Sequence, residues 1–115
     1  MIEDSILDSV KKLLSGIPAE NADFDKDIIY AINSWFTTLM QLGVGPENGF
    51  GITGKNETWG QFSQDPVVIR WASEYIATKT RITFDPPQSS SALECLKELA
   101  SEYEWRIYIY AEFGN

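Results

Sequence analysis

Apolar residues recur at three- and four-residue spacing in four separate stretches of this chain, and glycine or proline closes the first three. That pattern confines the fold to packed helices. In the first stretch Ile6, Leu7, Val10, Leu13 and Leu14 share a stripe, with Ser5 as a cap candidate and Gly16-Ile17-Pro18 as the stop. The second follows the cap candidates in NADFD, carries Ile28, Ile29, Ile32, Trp35, Phe36 and Leu39, and closes at Gly43. Asn33 and Ser34 sit at the edge of its stripe.

The third stretch opens with Asp65-Pro66 as N-cap and first helical residue. Its stripe is Val68, Trp71, Ala72, Tyr75, Ile76, the stem of Lys79, and Ile82, and Asp85-Pro86-Pro87 ends it. The fourth opens with a capping box, Ser91 to Glu94, and aligns Leu93, Leu96, Leu99, Ala100, Tyr103, Ile107 and Tyr110. Cys95, Trp105 and Ile109 lie off that line. A helix apolar on more than one side predicts more than one neighbour. The phrase WRIYIYAEF also alternates as a strand does, which leaves residues 104–113 open between helix and strand.

Residues 43–64, GVGPENGFGITGKNETWGQFSQ, hold most of the glycine and have no helical period. So long a loop in a small domain points to function or to hidden strands. FGIT at 50–53 and ETW at 57–59, around a turn at Gly54–Asn56, are compatible with a small β-hairpin and equally with irregular loop. The expected fold is therefore all-α: one domain over residues 1–115, four helices, and a long central loop with room for a hairpin. At 115 residues the chain can enclose one core and not two.

Charge and rare residues exclude several functions. A net charge of −8, from 17 acidic against 9 basic residues, repels phosphate and argues against adhesive nucleic-acid binding. An acidic wall past which DNA slides remains compatible with it. One cysteine and no histidine exclude an internal disulfide, a Cys/His zinc site and histidine-based triads. MIEDSILDSVKK does not read as a signal peptide, and no apolar run approaches the roughly 20 residues of a membrane span. The expected compartment is the reducing cytoplasm.

The stretch GFGITGKN at 49–56 matches G-x-G-x-x-G and the first seven positions of G-x-x-x-x-G-K-[ST]. Phosphate cradles need a buried strand before the loop and a helix directly after it. Here a helix precedes the loop, the next helix starts only near Asp65, and Asn56 stands where Ser or Thr would hold magnesium. Both matches are chance within a turn-rich stretch. Glu94, Glu98 and Glu102 recur on one helix face, which is the pattern of a solvated charged face. Cys95 reads as a small buried or interfacial residue. Phe50, Trp59, Phe62, Trp105, Tyr108 and Phe113 fall outside the helical periodicity, and several such rings suggest docking surfaces. No catalytic residue, cofactor or metal is expected.

Four phrases carry a further likeness: MIEDSILDSVKKLLSG, AINSWFTTLMQLGVGPENGF, KTRITFDPP and LKELASEYEWRIYIYAE. In their order and punctuation they resemble the head–tail connector (adaptor, or head-completion) proteins of long-tailed bacteriophages and prophages. The resemblance implies a non-enzymatic structural protein, made in the host bacterial cytoplasm and resident in the virion neck. It implies a ring, commonly of twelve copies, that docks on the portal protein and receives a stopper or tail-completion protein. DNA would pass through the ring without specific binding, and no membrane is involved. Portal contact would fall to Trp105, Tyr108, Ile109, Tyr110 and Phe113. Ring or next-layer contacts would fall to Val44, Pro46, Phe50, Ile52, Trp59 and Phe62 in the central loop. The alternative reading is a small acidic helical regulator that binds a host or phage protein.

Overall fold

The structure is a computed structural model that describes residues 2–14 and 21–114. The expected stop at Gly16-Ile17-Pro18 lies outside the described residues. Four helices follow the four stripes: α1 (Ile6–Lys12), α2 (Asp25–Gln41), α4 (Pro66–Phe84) and α5 (Ser90–Ile109). A single helical turn, α3 (Trp59–Phe62), lies in the central loop, and a π-helical turn over Tyr110–Gly114 extends α5. The C-terminal residues are therefore helical, and their alternation is not that of a strand.

The helix starts show how local chemistry competes with tertiary demand. Ser5 caps α1, its hydroxyl accepting the Asp8 N–H at 3.2 Å. Asp65 caps α4, accepting from the Val67 N–H at 2.9 Å with Pro66 as the first helical residue. At α2 no polar residue of NADFD caps; Phe24 takes that place without a side-chain bond. Asp25 is engaged elsewhere, receiving the buried Lys11 ammonium at 2.6 Å, while Lys11 also donates to the Asn21 carbonyl at 2.9 Å. The capping box expected at Ser91 is also displaced. Ser89 is the cap, accepting the Ala92 N–H at 3.2 Å, and the Ser91 hydroxyl pairs with Ser89 instead.

The expected hairpin does not form, and no strand is present among the described residues. Thr58 makes an isolated antiparallel bridge to Ser5, and the Ile6 N–H reaches the Glu57 carbonyl at 3.0 Å. The partner of the 57–59 segment is thus the N-terminus and not residues 50–53. Two local causes are visible. The Glu57 carboxylate takes the N–H groups of Thr53 and Gly54, at 2.9 and 3.4 Å. Thr58 and Gln61 then form a reciprocal capping box that turns the chain helical at Trp59.

Helix α4 is the hub, packed against α1, α2, α3 and α5. Its buried residues Ile69, Ala72, Tyr75, Ile76 and Thr80 run slightly off the expected stripe, because neighbours surround it on several sides. The central loop closes the core beside α2. Phe36 meets Phe50 edge-on at 5.0 Å, Phe62 at 5.0 Å and Trp59 at 6.3 Å. The Trp59 indole N–H also reaches the Ser9 hydroxyl on α1 at 3.3 Å.

Trp59 joins the loop, α1 and α2 while fully buried, so Trp59→Ala should destabilise the protein by about 3–5 kcal/mol. Thermal unfolding measures this as a large fall in Tm, whereas Trp105→Ala, at a site 60 % exposed, should leave Tm nearly unchanged.

Candidate functional site

The two groups of expected contact residues fare differently. In the loop, Val44, Ile52, Trp59 and Phe62 are core residues, and half-buried Phe50 packs against the core. Pro46 is exposed. The expectation that the loop rings form a docking surface is corrected: they are spent on this chain's own interior. Gly45, at φ +89°, makes the burial of Phe62 sterically feasible, since a Cβ there would lie 2.5 Å from the ring.

Asn33 lies at the edge of the apolar stripe in the sequence, yet it anchors the loop. Its amide donates to the Ile52 carbonyl at 2.9 Å and accepts the Ile52 N–H at 2.7 Å. This two-way bond copies a strand pairing with one side chain. A polar residue between apolar positions was the available signal, but its partner lies nineteen positions on and cannot be read from spacing.

The same loop explains the failed phosphate patterns. Backbone N–H groups that would face a phosphate are already taken by Glu57, whose carboxylate also accepts the Thr53 hydroxyl at 2.8 Å. The Thr53 hydroxyl, then the backbone donors, hold Glu57 below the ordinary carboxylate pKa. The cradle is filled by the chain's own anion.

The C-terminal group forms a surface. Trp105 is 60 % exposed, Tyr108 41 % and Phe113 73 %, while Ile109 and Tyr110 are half-buried. Trp105 and Tyr108 lie against each other with ring centroids 6.3 Å apart. Only Ala100 and Ile107 of α5 are buried, so the helix rests on α4 with its outer face uncovered. The seam holds Trp71 against Tyr103 at 5.6 Å, with the Arg106 guanidinium over Trp71 at 5.8 Å. The Tyr75 hydroxyl donates to Glu104 at 2.7 Å; burial first, then the carboxylate, raises the Tyr75 pKa. Cys95 is exposed on this helix, which removes the buried reading.

The terminal turn is fastened at two points. The Tyr110 hydroxyl donates to Asp65 at 2.8 Å, so one carboxylate both caps α4 and holds the tail. Gly43, at φ +99°, lets Ala111 approach to a distance at which any Cβ on residue 43 would crowd it. The bond to Tyr110 lowers the Asp65 pKa from its ordinary 3.8 and raises that of Tyr110 from 10.0. No cluster of three or more metal-ligating side chains occurs among the described residues. No described helix is long and apolar enough to cross a membrane.

Two expectations follow. Asn33→Ala leaves both Ile52 polar groups unpaired at a cost of about 1–3 kcal/mol, and amide exchange should accelerate over the loop around Ile52 before elsewhere. The tail latch has a pH window. Asp65 has a depressed pKa, so its contribution is complete above 3.8 and is lost as pH falls through the lower folded value. Tyr110 has a raised pKa, so its contribution is complete below 10.0 and is lost as pH rises through the higher folded value. Amide protection of residues 110–113 should fall at both extremes, and Tyr110→Phe should abolish the pH dependence.

Comparison with known proteins adds one positive finding. Neither the curated proteins nor the solved structures offer a significant match to this chain. The family described as phage connector protein matches residues 6–113, which spans α1 through α5. The chain therefore belongs to the phage connector protein family, a structural family of the phage head–tail junction.

Proposed function

We propose that this protein is a ring-forming adaptor of a tailed-phage neck, which docks on the portal, lengthens the DNA channel and receives the next neck protein. Family membership supports the general role. The observation that carries the finer reading is the C-terminal surface: exposed rings at Trp105, Tyr108 and Phe113 on α5 and its terminal turn, where no described residue covers the outer face of the helix. Large exposed apolar residues grouped in this way mark assembly sites.

The remaining features fit a channel component. A net charge of −8 disfavours sticking of DNA that passes through. The exposed residues around Pro46 and around Lys55 stand outside the buried part of the loop, where a next-layer protein could meet them without disturbing the core. Twelve copies around the portal, as in the connectors this sequence resembles, would give the ring its symmetry.

Native mass spectrometry of the protein mixed with purified portal tests the reading. A portal-bound complex is expected, with Phe113→Ala reducing portal binding at least about tenfold while Tm is unchanged, as for an exposed hot-spot ring. Absence of any complex with portal or portal-bearing capsids would sink the proposal.

A further inference from the structure

A groove of about 540 Å³ opens between α1, α4 and α5. Buried Val10, half-buried Ala77 and Leu96, and Leu13, which is 61 % exposed, give it an apolar lining. A second hollow of about 420 Å³ shares Ser73 and Glu74 with it and carries the depression along α4 toward Pro66. Lys12, Arg70 and Arg81 line the two hollows, three of the nine basic residues of an acidic chain. Asp4 and Glu74 line them too, and the Glu74 carboxylate already accepts the Tyr103 hydroxyl at 3.1 Å.

The opposite side of α5 carries the complement. Trp105 follows the groove residue Leu96 by nine positions, which at 3.6 residues per turn places it about 180° around the helix. The Trp105–Tyr108 pair therefore projects away from the groove. Exposed Glu98 lies two turns before Trp105 on the same face and exposed Glu102 one turn before it, the latter paired with Arg106 at 3.1 Å, so carboxylates near the rings outnumber the one guanidinium beside them.

We propose that the groove receives the Trp105–Tyr108 pair of a second copy of this chain. The match is apolar against apolar at the centre and basic against acidic around it. Because knob and groove lie on opposite sides of one helix, a copy cannot satisfy both with the same partner. The contact is heterologous and propagates from copy to copy, as a ring requires. This deepens the ring reading above and rests on it, leaving Phe113 and the terminal turn for the portal.

The test uses two surface variants that keep the fold, Trp105→Ala (no knob) and Leu13→Asp (no groove), in sedimentation velocity up to millimolar concentration. Wild type should form species larger than dimers, and each variant alone should associate at least about tenfold more weakly. An equimolar mixture should stop at the dimer, since only one knob–groove pair remains intact. A monomeric wild type, variants that assemble like wild type, or a mixture that stays monomeric would each overturn the inference. Portal capture by the Leu13→Asp variant separates the two readings. If it persists while self-association fails in wild type, the adaptor role stands and the groove assignment falls. If it is lost in wild type too while the mixture gives its dimer, the groove assignment stands and the adaptor role falls.

Discussion

The structure depends on the burial of aromatic rings from the central loop against Phe36. A loop of this length cannot lie on a small core unless its polar backbone groups find partners and its apolar side chains find contacts. Phe50, Trp59 and Phe62 supply the contacts at 5.0–6.3 Å from Phe36. Asn33, Glu57 and the N-terminal segment supply the partners. Together they make the loop a wall of the domain, so that α1 and α2 are joined through it as well as through the Lys11–Asp25 pair.

That arrangement divides the molecule into an inward and an outward half. With the loop rings consumed internally, Trp105, Tyr108 and Phe113 form an exposed group at the C-terminal end, and Leu13, Phe24 and Tyr30 are exposed elsewhere. Helix α4 packs against four other elements, whereas α5 leans on α4 along one line and shows its other side to solvent. The hydroxyl of Tyr110 on Asp65 then sets where the terminal turn rests. The exposed C-terminal rings are thereby placed on helical structure, while the glycine-rich segment serves the core.

Much of the helical framework was legible because helix periodicity and punctuation are local. Asp65-Pro66 and Asp85-Pro86-Pro87 bracket α4 as their chemistry requires, and Ser5 caps α1 as expected. Expectation and structure part where a partner outside the expected motif takes over, whether distant in sequence or only a few residues away. Asp25 abandons capping for Lys11, and Glu57 closes the turn that a hairpin ladder would have used. Phe50, Trp59 and Phe62 looked like docking rings because periodicity assigns no face to a residue in a loop. In the C-terminal group the reading of Trp105 as off the main stripe corresponds to its observed exposure, since there the helix itself defines the face.

The sequence by itself determined that this chain is helical, where α4 begins and ends, that histidine chemistry is absent, and that its surface is acidic. Those properties follow from residue spacing, backbone restriction and charge, all of which act within a few residues or sum over the chain. Only the tertiary structure decided which aromatics are core and which are free, and that Asn33 clamps the loop while α5 separates a groove from a ring pair. These depend on which surfaces meet across tens of residues, and burial has no local signature until the fold brings the partners together.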